Sequence, residues 1–375
     1  MSQDQFGIGV VGCGGFGLYA LQLFTQHPRV NLVGLANTHR EAAYAAAKRF
    51  HIPDPVELEE MLAWDNVDIV YIATPPFLHH RQAMAALRAN KHVICEKPLA
   101  LNLDEADEMI ETARERDLLL TVNLMQRYNP LYDSVKALID SRALGEPLHG
   151  YFENYASDEN LPHEHWFWDR SRSGGIFVEH GVHFFDMFEG WLGEGTVEAA
   201  QAATRPGAPG VEDQVQCAVR YADSVLVNFY HGFTQPGRLD RQRLCLLFER
   251  GDVTLYEWVP TSAHVAAVAD EEQTRALMDL FPDARLDITT TYSPKDRAAR
   301  GRGKPMDVYQ MIEMRVGESN KKMHVYGDLL RGLMDDQVQW ICDRSRSRRV
   351  SDANGRRSLE IACEADALAR TGAKS

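Results

Sequence analysis

The chain has no apolar run of the length needed to cross a bilayer, about 20 residues. Its first five residues are polar before a strand-like pattern begins at Phe6. Neither a transmembrane helix nor a signal peptide is expected. A basic excess is missing too: 40 Lys and Arg stand against 54 Asp and Glu, a net charge of −14. Non-specific nucleic-acid binding needs a basic face and is not expected. The six cysteines lie at 13, 95, 217, 245, 342 and 363, with no C-x-x-C pair. That excludes a zinc knuckle or a disulfide frame as a reading and leaves reduced thiols in a cytoplasmic protein. Repeats and low-complexity tracts are absent. What is present is ordinary for a globular protein, 45% hydrophobic and 25% charged over 375 residues, long enough for about two domains.

The densest information sits near the start. The apolar run Phe6 to Val11 ends in Gly12-Cys13-Gly14-Gly15-Phe16-Gly17, and a helical pattern follows from Leu18. Gly12, Gly14 and Gly17 have the G-x-G-x-x-G spacing that follows a strand and opens a helix. Gly12 permits the tight turn, Gly14 lets a pyrophosphate approach the backbone, and Gly17 lets helix and strand pack closely. The helix N-terminus adds donors and partial positive charge for the phosphates. Gly15 and Phe16 complete the expected cofactor loop.

Val30 to Ala36 reads as a second strand. Beyond it, where NAD sites often carry an acidic residue on the ribose, stand Asn37, Thr38, His39 and Arg40. Asn37 can bond a ribose hydroxyl without repelling a 2′-phosphate, and Arg40 can pair with one. NAD and NADP both stay open, as does Arg40 being only a solvated helix residue. Val67 to Ala73 and Val93 to Cys95 read as buried strands, with helices Glu41–Phe50, Phe77–Ala89 and Asp104–Arg116 between and after them. Strands alternating with helices imply βαβ units and a parallel sheet, with ligands beyond the strands' carboxyl ends. That rule brings the glycine turn, Asn37, Thr74-Pro75 to His79, and Glu96-Lys97-Pro98 to one rim.

These motifs resemble the glucose–fructose oxidoreductase / inositol dehydrogenase / MocA (Gfo/Idh/MocA) family. The matching segments are Gly12 to Gly17, Ala73-Thr74-Pro75-Pro76-Phe77-Leu78-His79 and Glu96-Lys97-Pro98-Leu99-Ala100. The resemblance implies an α/β Rossmann domain followed by an α+β domain with an open, mostly antiparallel sheet. It implies that Lys97 reaches both the nicotinamide ribose and the substrate, and that subunits pair through the outer sheet face, as a dimer or tetramer. The chemistry agrees: an ammonium beside a carbinol oxygen stabilises the charge that develops as hydride leaves. The domains are expected at 1–125, binding NAD or NADP, and 126–375, binding substrate. Within Asn123 to Pro130, which resembles the family's crossing segment, Arg127 and Tyr128 are candidates for ligand contact or for structural support.

From Leu148 the pattern changes to consecutive alternating segments with short turns, at 148–156, 211–221, 224–233, 241–249 and 253–258, which imply an antiparallel sheet. Between the first two lies Gly174-Gly175, then Glu179, Gly181 and His183. The family pattern is Gly-Gly, then Asp-x-Gly-x-His, so Glu179 here replaces an Asp. On a uniform α-helix Glu179, His183 and Asp186 share one face. His183 is read as the proton-exchanging group with Glu179 orienting it, and Asp186 as a structural contact. A buried His–carboxylate network and a metal site are the alternatives; no metal is assigned. The aromatic cluster Trp166, Phe167 and Trp168, with Arg170 and Arg172, suits either a sugar face or a core; Trp168 and Arg170 are taken as substrate candidates. Within residues 260–320 the pattern gives a helix at 270–280, with Thr289 to Thr291 and Lys295 to Lys304 read as loop.

The expectation is an NAD(P)-dependent oxidoreductase of a sugar or polyol hydroxyl or ketone. Lys97, His183 and Glu179 are its catalytic set. The cofactor set is Gly12, Gly14, Gly15, Phe16, Gly17, Asn37, Thr38, Arg40, Thr74, Pro75, His79, Glu96 and Lys97, and the substrate set is Arg127, Tyr128, Trp168, Arg170 and His183. A redox-assisted glycosidase with recycled NAD and a non-catalytic dinucleotide-sensing regulator are the competing readings.

Overall fold

The computed structural model describes residues 5–37, 39–317 and 322–371. Its described residues fall into two compact units. One draws on Met1–Tyr128, His163–Asp186 and Gly327–Asp366, the other on Asn129–Pro162, Met187–Tyr326 and Ala367–Ser375.

The first unit holds a five-stranded parallel sheet in the order β2-β1-β3-β4-β5. Its elements run β1 (Phe6–Val11), α1 (Gly15–Phe24), β2 (Val30–Ala36), α2 (Arg40–Phe50), α3 (Leu58–Leu62), β3 (Ile69–Ile72), α4 (His79–Arg88), β4 (His92–Cys95), α5 (Leu103–Glu115) and β5 (Leu120–Val122). Runs such as Ile69-Val70-Tyr71-Ile72 are buried at every position. That is the pattern of strands covered on both faces. On one face Ile8, Val10, Tyr71 and Ile94 pack with Phe24 of α1, Ala43 and Ala47 of α2, and Leu330, Leu333 and Met334 from the late helix Lys322–Cys342. On the other, Met61 of α3 lies against Gly9 and Gly34, which leave it room. Each of these large apolar side chains contributes about 1.5–3 kcal/mol by leaving water. α5 is started by Asn102, whose side chain accepts from Glu105 N–H, with Asp104 and Glu105 in its first turn, both favourable to a helix N-terminus.

The second unit begins with α6 (Pro130–Ser141), capped by the Asn129 side chain and opened by Pro130. β6 (Pro147–Ser157) follows. The chain then supplies α7 (Arg170–Ser173) and a π-helical turn, Phe177–Gly181, to the first unit, and α8 (Val182–Leu192) continues into the second. Strands β7 (Gly195–Thr204), β8 (Glu212–Tyr221), β9 (Val225–Gln235), β10 (Arg241–Phe248), β11 (Gly251–Tyr256) and β12 (Ser262–Ala269) come next, then α9 (Glu271–Leu280). β13 (Arg285–Thr291), β14 (Ala298–Gly301), β15 (Lys304–Asp307) and β16 (Gln310–Gly317) precede α10 (Lys322–Cys342) and α11 (Asp352–Thr371). Nine strands form a mixed sheet in the order β13-β16-β12-β11-β10-β6-β9-β8-β7. All its pairings are antiparallel except β6 with β9. Burial alternates along the strands, most regularly in β12, as expected for a sheet with one covered face. On that covered face Phe188 of α8 meets Phe229 edge-on at 5.1 Å and Tyr221 at 6.2 Å.

Two loop expectations are corrected. Thr289 to Thr291 belong to strand β13, and most of Lys295 to Lys304 is taken up by a short helical turn and the β14–β15 hairpin. β13 is an edge strand whose last four residues are exposed, so it lacks the apolar alternation by which a strand is read. The hairpin turns at Arg302 and Gly303, both with positive φ, the backbone a two-residue hairpin turn requires. No described helix is long and apolar enough to cross a membrane.

Candidate active site

Strand register brings the sequence motifs abreast. Val11 pairs with Ala36 and Ile72, Ile72 with Cys95, and Cys95 with Val122. The residues that follow, Gly12, Asn37, Ala73, Glu96 and Asn123, therefore lie along one carboxyl-end rim. The strand order reverses between β1 and β3, the place where such sheets open a crevice.

A cleft of about 720 Å³ occupies that place, lined by Gly12, Cys13, Gly14, Asn37, His39, Glu57, Thr74, Pro75, Phe77, Arg81, Trp166 and Arg172 among others. Its glycines divide into two kinds. A Cβ on Gly12, where φ is +96°, would stand 2.5 Å from the Ala73 carbonyl oxygen, and one on Gly17 would stand 2.2 Å from that of Gly12. Gly14 and Gly15 meet nothing within 4 Å. They leave open backbone at the start of α1, the cradle an anionic pyrophosphate needs. The residues present thus fit a dinucleotide. Phe16 is exposed beside them.

At the far end of the cleft Asn37 donates from Nδ2 to Cys13 Sγ at 2.7 Å and to the His39 carbonyl at 3.3 Å. Arg40 projects into solvent, 3.9 Å from an equally exposed Glu57, a pair of little energetic weight. Thr38 lies outside the described residues. Thr74 Oγ1 donates to Gln82 at 2.6 Å, and Pro75 caps the turn Pro76–Leu78. His79 does not face the cleft. It is fully buried, with Nδ1 2.7 Å from the Pro98 carbonyl and Nε2 2.8 Å from that of Thr74. Glu96 is also turned inward, accepting from the Tyr71 hydroxyl and, at 2.9 Å, from Asn123 Nδ2. Burial raises its pKa, against the pull of those two donors.

Lys97 follows Glu96 at the end of β4. Its ammonium donates to Glu179 twice, to the carboxylate at 2.6 Å and to the backbone carbonyl at 2.9 Å. Both side chains retain a small exposure, 14% and 13%. His183 is almost fully buried; burial first, and the Lys97 charge second, hold its pKa down to about 3. The ring is neutral at physiological pH. The uniform-helix expectation is corrected here, because Glu179 sits in a π turn and His183 in the α-helix after it. An extra residue per turn rotates Glu179 away from the α-helical face shared by His183 and Asp186. Glu179 meets Lys97, while Asp186 takes the Arg127 guanidinium through Nε and Nη2, each at 2.8 Å. The two carboxylates of the stripe are thus divided between two cationic partners. Among the described residues no group of His, Cys, Asp and Glu converges as metal ligands.

The remaining candidates have internal partners. The Tyr128 hydroxyl donates to Asp336 at 2.6 Å. Arg170 bonds Asp366. Trp168 is buried edge-on against Phe167 at 4.9 Å. Sequence reading did not assign Phe77 and Arg81 to the cleft, and it took Trp166 and Arg172 only as part of a cluster suited to a sugar face or a core. Phe77 lies in a motif already singled out. Arg172, whose guanidinium lies 4.4 Å over the Phe77 ring, reaches it by tertiary packing and leaves no local signal.

A rim-bound crevice, a glycine cradle and an adjacent Lys–Glu–His group define a dinucleotide-binding fold of the oxidoreductase kind. Models of protein families agree: "Oxidoreductase family, NAD-binding Rossmann fold" matches residues 6–124, and "GFO/IDH/MocA C-terminal domain" matches 132–254. The chain belongs to the Gfo/Idh/MocA oxidoreductase family. It is 32% identical over 208 residues to a 1,5-anhydro-D-fructose reductase of Ensifer adhaerens, covering 54% of this chain and 62% of that one. It is 30% identical over 196 residues to a scyllo-inositol 2-dehydrogenase (NAD(+)) of Bacillus subtilis, covering 51% and 55%. The matches thus span less than two thirds of these relatives. The fold is shared with a levoglucosan dehydrogenase solved with NADH and L-sorbose, at a TM-score of 0.76 and 20% identity over 98% of this chain and 97% of that one.

Proposed function

We propose that the protein is an NAD(P)-dependent oxidoreductase moving a hydride to or from a hydroxyl or ketone carbon of a sugar or polyol. The observation that carries this reading is the convergence of Lys97 and Glu179, with His183 under the influence of the Lys97 charge, beside the rim that holds the glycine cradle. The relatives' sugar and cyclitol activities support the substrate class.

Gly12, Gly14, Gly15, Phe16 and Gly17 would hold the pyrophosphate, Asn37 and Arg40 the adenosine ribose, and Thr74 and Pro75 the rim between them. The bound nicotinamide supplies or accepts the hydride. The chain's own residues manage the substrate oxygen. Lys97 gives that oxygen a hydrogen bond and a positive charge as its proton leaves. His183 is neutral in the resting site and is the group we assign to take the proton and to return it in the reverse direction. Glu179 bonds Lys97 through carboxylate and carbonyl together. Its task is to aim the ammonium, whereas sequence reading assigned it to the imidazole. Arg127 and Tyr128, occupied by Asp186 and Asp336, stand behind the site and support it, as do Trp168 and Arg170.

We assign cofactor binding to residues 1–125 and substrate binding and subunit pairing to 126–375, in a cytoplasmic homo-oligomer. The exposed apolar residues Leu226, Leu247, Ile288 and Met311 on sheet strands, and six free cysteines, support that assignment. The test is a panel of sugars and polyols followed at the nicotinamide absorbance with NAD and NADP in turn. Turnover of at least one member is expected. Tight dinucleotide binding with no turnover on any member would overturn the reading.

A further inference from the structure

His79 is a histidine with two hydrogen-bond acceptors. Both of its ring nitrogens face backbone carbonyl oxygens, at 2.7 Å and 2.8 Å, and its side chain is wholly inaccessible. A neutral imidazole has one donor and one acceptor, so it satisfies one carbonyl and sets a lone pair against the other. The doubly protonated ring satisfies both. A buried polar contact of this kind is retained only where the surroundings over-determine it.

The two carbonyls belong to different loops. Thr74 follows β3 and lines the dinucleotide cleft. Pro98 follows Lys97 directly, so its carbonyl lies one residue beyond the Cα that carries the Lys97 side chain. Burial lowers the pKa of the ring, against the pull of the two carbonyls. The charged groups acting on it are Lys97, which opposes its protonation, and Glu179, which favours it. These are the two partners of the site's own ion pair.

We infer that His79 is a positioning residue for the reaction: spanning from the Thr74 carbonyl to the Pro98 carbonyl, it holds the cofactor rim and the Lys97 backbone at a set separation. It touches neither substrate nor cofactor. The inference rests on the oxidoreductase reading above. The effect belongs to the reacting geometry, since a displacement on the order of 1 Å at a catalytic group lowers a rate about 100-fold.

The experiment uses the full chain with His79→Gln and His79→Ala, and reads three quantities: kcat, the Kd of NADH by fluorescence titration, and the imidazole nitrogen resonances of uniformly 15N-histidine-labelled wild type. In His79→Ala, kcat is expected to fall about 10- to 100-fold while the NADH Kd changes by less than about threefold. Gln, whose amide nitrogen carries two donors, is expected to recover part of the loss. In the wild type, at least one His79 ring nitrogen is expected to carry a proton in slow exchange with water, as a wholly buried donor to a backbone carbonyl requires. Unchanged kcat in both variants, or a loss confined to NADH binding, would overturn the inference. If neither variant folds, the wild-type spectrum decides alone, and a His79 ring with its proton in fast exchange with water would overturn the inference. Absence of turnover in the wild type would defeat the oxidoreductase reading instead, and the nitrogen resonances would still test the His79 bridge.

Discussion

In the proposed mechanism Lys97 holds the central place, and its partners make that role testable. Lys97→Ala is expected to reduce kcat about 1,000-fold, with the NADH Kd within about threefold of wild type by fluorescence titration. Near wild-type turnover would remove Lys97 from the chemistry. Glu179→Gln retains a hydrogen-bond acceptor but loses the charge paired with the Lys97 ammonium. A kcat loss of about 10- to 100-fold is expected, less than for Lys97→Ala. The replacement of the family's Asp by Glu was visible in the sequence, but what the longer side chain reaches was not. It meets a lysine 82 positions away, a distance no local pattern encodes. His79, too, was singled out by motif, and was expected at the cofactor. Burial behind the rim was not readable from the residue type.

At the scale of single elements, the glycine turn separates folding from binding. Gly14→Ala adds a methyl group to open space, so its melting temperature should stay within a few degrees of wild type while NADH binding weakens at least about tenfold, worth about 1.4 kcal/mol. Gly12→Ala meets the Ala73 carbonyl at 2.5 Å with φ at +96°. It should lose about 2–4 kcal/mol in a urea titration. Equal melting temperatures for the two variants would refute this division of labour. The π turn before α8 makes a second case. The i, i+4, i+7 spacing suggested one polar stripe, whereas the inserted residue sends Glu179 to Lys97 and Asp186 to Arg127. Because Asp186 is buried, Arg127→Met should cost about 3–5 kcal/mol, and the double variant Arg127→Met/Asp186→Leu should recover most of it.

For the whole molecule, the buried histidines set the response to acid. His183 in the first unit and His231 in the second are both held at about 3, mainly by burial, against an ordinary value of 6.5. Between those values the unfolded chain binds more protons than the folded one, so stability is complete above about pH 6.5 and declines as pH falls toward 3. Each ring contributes a slope approaching about 1.4 kcal/mol per pH unit within that window. Thermal melts are expected to lose stability steadily from about pH 6.5 to 4, and His231→Phe should flatten that decline. An unchanged slope in that variant would show that His231 is not a source of it.

The sequence by itself determined the parallel α/β half, the glycine cradle, the strand-end motifs and most of the later strands. Each of these is written in a local period, turn residue or motif that acts over a few neighbours. Edge strand β13 escaped because exposure removes the alternation that marks a strand. Only the tertiary structure decided which carboxylate serves which cation, that His79 spans two loops, and that Arg172 and Trp166 line the dinucleotide cleft. Those pairings depend on burial and on contacts between segments far apart in the chain, where competing partners of the same charge are distinguishable only by distance.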